Sequence, residues 1–392
     1  METVQCDSAL SYVALSALFS GLVAHKLIRN KVKIENVSVS CLLALLLLEI
    51  LCCCVFCSHL GLPLFVAACA LYYVSIPVRR MLTAQGKTVL ITGCDSGLGH
   101  ALAKYFDELG VLVYAGVLDK KGQGAEELRR VCSSRLSLIQ LDVTNQGQIK
   151  AVYDEVKNRV QDAGLWGIVH NAGVLGYMAD GELLPISVYK QCMDVNFIGV
   201  VQVTKMFMPL LRKAKGRLVT ISSMAGHSPL PGFAAYAASK AALTMFSAVM
   251  RQDLFKWGVN VSAVHPSGFR TNIFGSREHW SSQDQNILDN IMPEVKEDYG
   301  EDYLASLKEL RYTMSTITSP DLSPVLDDVS HALLAREPYF SYTPGRCAYL
   351  IPCLFRYFPL WVYDNFAKQI FQIHRNILPR SLRKSKSNNK MD

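Results

Sequence analysis

The sequence predicts an α/β domain of the doubly wound, parallel-sheet class, preceded by apolar helices at its amino end. From Lys87 onward, short β-branched runs alternate with amphipathic stretches of helical length, the rhythm of a parallel sheet covered by helices. The first run, Lys87 to Thr92, opens directly into a glycine-rich turn, Gly93-Cys-Asp-Ser-Gly-Leu-Gly99, and then into the helical stretch His100 to Leu109. Before Arg80 the chain is instead built of three apolar stretches, Ala9 to Ala24, Val37 to Cys57 and Leu60 to Val78.

Those three stretches account for much of the composition. Half of the 392 residues are hydrophobic and the mean hydropathy is +0.19, more apolar than an ordinary soluble domain. About 20 apolar residues span a bilayer, a length the second stretch reaches outright and the third nearly. Glu2 and Asp7 precede the first stretch and the cations follow it, which argues for an uncleaved anchor rather than a signal peptide. With Lys26 to Lys33 inside, the next two stretches form a hairpin, and Arg79 and Arg80 return to the same side, leaving the later domain in the cytosol. Glu49 falls deep in the second stretch and is read as a neutral or interface-reaching side chain. The net charge of +7 is concentrated beside the apolar stretches and in the tail Arg380 to Lys390, a pattern for membrane proximity. No nucleic-acid motif is present, so a nucleic-acid partner is not expected. The twelve cysteines show no paired metal-ligand spacing, so no metal is expected and reduced thiols are the reading. The expected organisation is an anchor over 1–80, a catalytic domain over 81–345, and an aromatic segment with a basic tail over 346–392.

Within the domain, strand, glycine turn and helix form the context a phosphate-binding loop requires. Glycines let the backbone approach a pyrophosphate, and the helix start supplies unpaired amides to receive it. Gly93, Ser96, Gly97, Leu98 and Gly99 are therefore candidate cofactor residues, at the spacing G-x-x-x-G-x-G. The second strand, Val111 to Leu118, ends at Asp119, where a carboxylate can hold an adenosine ribose and repel a 2′-phosphate. Two unit charges about 4 Å apart at an effective dielectric of about 20 interact by about 4 kcal/mol, so NAD is expected over NADP unless Lys120 and Lys121 reach the same pocket. A third strand, Leu136 to Leu141, ends in Asp142, placed either to meet the adenine edge or to cap the next helix. The fourth, Trp166 to His170, runs into Asn171, Ala172 and Gly173, and a long helix holding Asn196 follows. The strand Arg217 to Ser222 brings Ser222 and Ser223 to its carboxyl end, and alternation allows only one of them to face a site there. Finally, Tyr236 and Lys240 lie one helical turn apart. Bringing a phenol from a pKa of about 10 to about 7 takes roughly 4 kcal/mol, and a nearby cation is the simplest supplier. Alone, that spacing also describes an ordinary exposed helix turn; its weight comes from the rest of the chain.

Thr92-Gly-x-x-x-Gly-x-Gly99, Asn171-Ala-Gly173, Ser223 and Tyr236-x-x-x-Lys240, in that order, resemble the short-chain dehydrogenase/reductase family, over about Lys87 to Lys368. The resemblance implies a doubly wound Rossmann fold and roles by matched position. Tyr236 would take the substrate proton, Lys240 would hold the nicotinamide ribose and lower the Tyr236 pKa, Ser223 would hold the substrate oxygen, and Asn196 would order a proton-relaying water. Thr271 and Pro266 match positions that contact the cofactor. Two positions depart from the family pattern: His170 precedes Asn171, read as a sheet residue, and Ser267 stands where a glycine is usual. Within the family, stretches such as Gly97-Leu-Gly-His-Ala-Leu and Gly124-Ala-Glu-Glu-Leu-Arg-Arg130 are similar to hydroxysteroid and retinol dehydrogenases. That implies NAD-dependent oxidation of a secondary alcohol on a lipophilic substrate at the endoplasmic reticulum membrane, foremost the 17β-hydroxyl of oestradiol or testosterone, with retinol as the alternative and a homodimer as an expected assembly. A silent NAD-binding scaffold is the reading from another class, and it would be favoured had any of Ser223, Tyr236, Lys240 or Asn196 been missing. The stretch from Asn272 to Pro344 is expected to cover the substrate. Tyr349 to Ile373, aromatic and broken by Pro352 and Pro359, reads as a lid touching the bilayer or as a buried core helix.

Overall fold

The computed structural model describes residues 14, 17–23, 25–26, 58–75, 80–372 and 378–383. The chain divides into two compact units, Met1–Leu82 with Ala335–Tyr339, and Thr83–Leu334 with Phe340–Asp392.

The second unit is built on a seven-stranded sheet, β1 (Thr88–Ile91), β2 (Leu112–Val117), β3 (Leu136–Gln140), β4 (Gly167–His170), β5 (Arg217–Ile221), β6 (Asn260–Val264) and β7 (Ser341–Tyr342), in the order β3-β2-β1-β4-β5-β6-β7. Every pairing is parallel. β1, β4 and β5 are buried along their whole length, which is why they read as continuous apolar runs rather than alternating ones. Helices α1 (Gly97–Glu108), α2 (Gln123–Val131), α3 (Gln146–Val160), α4 (Ile186–Met193), α5 (Gly199–Ala214) and α6 (Ala234–Phe255) join the first six strands. On one face, Leu90, Ile168 and Leu218 of the sheet pack with Val152 and Val156 of α3 and with Val203 and Phe207 of α5. The strand order reverses between β1 and β4, so the chain leaves their adjacent carboxyl ends in opposite directions and opens a crevice there.

The strands expected from sequence appear within a residue or two. β6 and β7 are additional: β6 carries the buried polar Ser262, and β7 is two residues long, so neither has a periodic signature. After β6 come the covering helices α7 (Arg277–Asn290), α8 (Pro293–Tyr299) and α9 (Glu301–Thr316), then α10 (Ser323–Leu334), α11 (Leu350–Tyr357) and α12 (Leu360–Gln372). The cover is tied to the loop after β4 by polar contacts. Arg311 of α9, fully buried, pairs with Asp284 at 2.6 Å and gives Nε to the Met178 carbonyl at 3.2 Å. The Tyr303 hydroxyl donates to Asp180 and that of Tyr299 to Glu182.

In the first unit, the helix Ser58–Ser75 contains Pro63 and contributes Phe65 and Cys69 to a small buried cluster with Val23. No helix among the described residues is long and apolar enough to cross a membrane. The stretch Val37 to Cys57, expected to span, lies outside the described residues, as does half of Ala9 to Ala24.

Candidate active site

The glycine turn sits at the carboxyl end of β1. Gly93 has φ 71°, and a Cβ there would lie 2.7 Å from the Ala172 Cα; a Cβ on Gly99 would lie 2.1 Å from the Gly93 carbonyl oxygen. Both positions therefore exclude side chains, and the β1 and β4 exits close on each other. Polar contacts lock that approach. Thr92 Oγ1 accepts from the Asn171 and Ala172 amides at 3.1 and 3.0 Å, and Asn171 Nδ2 donates to the Thr92 and Gly93 carbonyls at 3.0 and 2.9 Å. Helix α1 begins with no side-chain cap from Ser96. Its first-turn amides are thus left for another acceptor, and Ser96, Gly97 and Leu98 line a cavity of 1540 Å³. That cradle fits the phosphates of a dinucleotide.

At the next stretch of wall the structure separates two carboxylates. Asp119 is exposed and is not among the cavity-lining residues; its Oδ1 accepts the Lys121 amide at 2.8 Å. Asp95, inside the glycine turn, does line the cavity, and its carboxylate accepts the Leu118 amide at 2.9 and 3.1 Å and the Asp119 amide at 3.4 Å. Asp142 also lines the cavity, holding the Thr144 amide and hydroxyl at 2.9 and 2.7 Å, while the cap of α3 comes from Asn145.

Deeper in, α4 and α5 are joined by a turn of π-helix, Asp194–Ile198, of the kind that often marks functional sites. It carries the fully buried Asn196, whose Oδ1 accepts the Val174 amide at 2.8 Å and whose Nδ2 donates to the Val174 carbonyl at 2.8 Å and to Ser239 Oγ at 2.9 Å. Both amide hydrogens are committed, so a proton relay at this residue would have to use oxygen rather than the amide N–H. Lys240, also buried, donates to the Ile221 carbonyl at 2.8 Å. Its Nζ lies 5.7 Å from the centre of the Tyr236 ring, and Gly173 packs beside it. The two serines are distinguished by their partners. Ser222 Oγ is engaged inward with the Lys240 carbonyl at 3.1 Å and Thr244 Oγ1 at 2.8 Å, whereas Ser223 Oγ accepts the Ala225 amide at 3.2 Å and lines the cavity with Tyr236.

Electrostatics here differ from the expectation that Lys240 lowers the phenol. Burial pushes Tyr236 up to about 12, against a smaller lowering by the Ser223 hydroxyl. Burial pulls Lys240 down to about 8. Desolvation disfavours both charged forms, and the ammonium is directed at a backbone carbonyl.

Pro266, Ser267 and Thr271 complete the cofactor side of the wall. Ser267 has no left-handed backbone, so the position does not require the glycine usual there. His170 is a buried sheet residue bonded to Thr204 Oγ1 at 2.9 Å, and burial lowers it to about 3, which keeps it neutral. The remaining wall is mixed, with polar residues such as His279 and Gln283 of α7 beside a group of apolar side chains. Leu230 and Phe233 precede α6, Phe274 and Met314 belong to the covering segment, and Ile351, Tyr363, Phe366 and Ile370 come from α11 and α12. Sequence reasoning gave no means of choosing these residues, because the helices that carry them approach the site only through tertiary folding.

A family model described as short chain dehydrogenase matches residues 87–282. The chain belongs to the short-chain dehydrogenase family. It is 52% identical over 323 residues to 17-beta-hydroxysteroid dehydrogenase type 2 of Homo sapiens, covering 82% of this chain and 83% of that protein. It is 42% identical to 11-beta-hydroxysteroid dehydrogenase type 2 of Bos taurus, over 74% of this chain and 72% of the relative, and 40% identical to retinol dehydrogenase 16 of Homo sapiens, over 73% and 89%. Among solved structures, a short chain dehydrogenase from Burkholderia cenocepacia in complex with NADP aligns with a TM-score of 0.55 at 21% identity, over 72% of this chain and 98% of that one, a likeness of fold.

Proposed function

We propose that this short-chain dehydrogenase uses NAD to oxidise a secondary alcohol on a lipophilic substrate, foremost the 17β-hydroxyl of a steroid. The observation that carries the reading is that Tyr236 and Ser223, both partly buried, line one 1540 Å³ cavity with a glycine cradle at one side and apolar side chains at the other. A pocket for one small molecule typically holds about 300–1,000 Å³, so the cavity has room for a dinucleotide and a substrate side by side. The similarity to 17-beta-hydroxysteroid dehydrogenase type 2 supplies the substrate class.

When bound, a nicotinamide supplies the hydride acceptor and, oxidised, a positive charge near Tyr236 and Lys240. Ser223 holds the substrate oxygen against Tyr236, and the phenolic oxygen takes the hydroxyl proton as hydride leaves the carbinol carbon. A phenol at about 12 is some 5 units above neutrality, roughly 7 kcal/mol by the usual conversion, so the charge brought by the cofactor has to supply most of the shift toward phenolate. Lys240 contributes by holding the ribose. Asn196 fixes the π-turn behind them through Val174 and Ser239. Asp95 and Asp119 place negative charge near the expected adenosine ribose, which favours NAD over NADP.

The outer side of α11 and α12 exposes Leu350, Tyr357, Phe358, Leu360 and Trp361, while Ile351, Phe366 and Ile370 line the cavity. Such a two-faced helix pair suits the bilayer interface, with aromatic and apolar side chains toward lipid. An enzyme held there, anchored through its apolar amino end on the endoplasmic reticulum membrane, would take its substrate from lipid. Incubating membranes that contain the protein with oestradiol, retinol or cortisol plus NAD tests the function. Conversion of oestradiol to its 17-ketone is the expected result; oxidation of retinol alone would overturn the substrate assignment.

A further inference from the structure

Two stretches far apart in the sequence, Gly97 to Leu102 and Gly124 to Arg130, meet against the glycine turn. Gly124, in the first turn of α2, packs on the turn itself: a Cβ there would lie 1.8 Å from the Asp95 carbonyl oxygen. His100, in the first turn of α1, is engaged at both ring nitrogens. Nδ1 is 3.3 Å from the Cys94 carbonyl oxygen, and since a carbonyl only accepts, Nδ1 carries the hydrogen. Nε2 is buried, has no hydrogen bond among the described residues, and lies 3.4 Å from Glu127 Oε1 of α2, an ion-pair distance when the ring is protonated. Lys104 Nζ reaches the same carboxylate oxygen at 3.4 Å. The His100 ring first, and Lys104 after it, hold the Glu127 carboxyl below its ordinary value.

These contacts decide which way the polar groups of the turn face. The Cys94 amide donates to the Gly116 carbonyl at 2.8 Å, its carbonyl accepts from His100, and the Asp95 carboxylate accepts the Leu118 and Asp119 amides. Asp95, Ser96, Gly97 and Leu98 line the cavity, whereas Cys94, His100 and Glu127 do not. The Cys94 carbonyl is thereby kept out of a cradle that must offer donors to a phosphate. Without His100 that carbonyl loses the donor that holds it, and a rotated Cys94–Asp95 peptide would turn an oxygen toward the phosphates and shift Asp95 with it.

We propose that His100, braced by Glu127, is a positioning residue for the cofactor: it holds the Cys94 carbonyl away from the phosphate cradle and keeps the glycine turn in the form that receives a dinucleotide. This deepens, and rests on, the reading of the cavity as a site for NAD. The effect belongs to the pyrophosphate, which NAD and ADP-ribose share, and not to the proton transfer at Tyr236.

The test uses the full-length enzyme and the dissociation constants of NAD and ADP-ribose, with kcat for oestradiol oxidation measured at saturating NAD. His100→Leu should weaken both ligands alike by about tenfold, the loss of one hydrogen bond of ordinary strength, while kcat stays within about twofold. His100→Gln, whose carboxamide can donate to the same carbonyl, should recover most of the affinity. Glu127→Ala should weaken NAD by about threefold, in the range of a partly exposed ion pair. It should add nothing in a His100→Leu background, because residues that act through one another are not additive. A loss of stability alone would produce neither the recovery nor the non-additivity. If His100→Leu does not fold, Glu127→Ala decides, since the Glu127 side chain is 44% exposed. An unchanged NAD dissociation constant in either variant, a His100→Gln as weak as His100→Leu, or a fall in kcat as large as the fall in affinity would overturn the proposal. Failure of the wild-type enzyme to bind NAD or ADP-ribose would instead remove the cofactor reading on which it rests.

Discussion

Lys240 is a buried cation whose burial should be measurable as an instability of the folded protein. Its folded-state pKa is about 8 against an ordinary 10.5, and each unit of difference is worth about 1.4 kcal/mol. Because the folded pKa lies below the unfolded one, the unfolded chain binds the extra proton between those values. The penalty is therefore fully present below about pH 8, roughly 3 kcal/mol, and is relieved as pH rises toward 10.5. Lys240→Met removes the penalty but leaves the Ile221 carbonyl without its donor, a loss of about 1–3 kcal/mol. At pH 7 the cofactor-free variant should accordingly be as stable as wild type or up to about 2 kcal/mol more stable, by the difference of those two magnitudes. Between pH 7 and 9.5 wild type should gain on the variant by about 2 kcal/mol. Urea unfolding of both proteins at the two pH values reads this directly. A stability difference that stays flat over that range would refute the claim that the folded site holds Lys240 at a depressed pKa.

Asn196→Leu orphans the Val174 amide and carbonyl, at about 1–3 kcal/mol each, and should lower the melting midpoint by several degrees along with turnover; an unchanged midpoint would mean that the π-turn holds without these bonds. Asp119→Ala should reduce the preference for NAD, read as the ratio of kcat/KM with NAD to that with NADP. An unchanged ratio would shift the selection to Asp95, the carboxylate on the cavity wall. Removing residues 1–80 should abolish resistance to alkaline extraction from membranes, with residual peripheral binding through the exposed aromatic residues of α11 and α12. Full resistance in the truncated protein would place the anchor in the carboxyl-terminal helices.

The cofactor side of the site was legible because its constraints are local. Gly99 is demanded by the Gly93 carbonyl a few residues away, and Tyr236 and Lys240 are brought together by one helical turn, although the Ala172 backbone that excludes a side chain at Gly93 comes from the distant exit of β4. What escaped depended on contacts distant in sequence. Asp95 reads as a turn residue until the Leu118 amide, on the neighbouring strand's exit, is seen to hold it. Strand alternation allowed only one of Ser222 and Ser223 to face the site and the family resemblance pointed to Ser223, yet which partner each one meets required the fold to be in place. Gln283 of α7, on the cavity wall, carries no motif, and its hydrogen bond to the Gly176 carbonyl spans more than a hundred residues. Spacing brings an ammonium to the helix face of Tyr236 but says nothing of burial, which in the cofactor-free chain pushes the phenol up.

The central claim is that the Tyr236 hydroxyl performs the proton transfer, and Tyr236→Phe tests it with the smallest possible change. The glycine cradle and the Asn171 contacts that support it involve no atom of that hydroxyl, so the NAD dissociation constant should hold within about twofold. Proton-transfer catalysis is typically worth about a hundredfold to ten-thousandfold, so kcat for oestradiol oxidation should fall by at least about two orders of magnitude. A kcat near the wild-type value in Tyr236→Phe, with NAD still bound, would contradict the account.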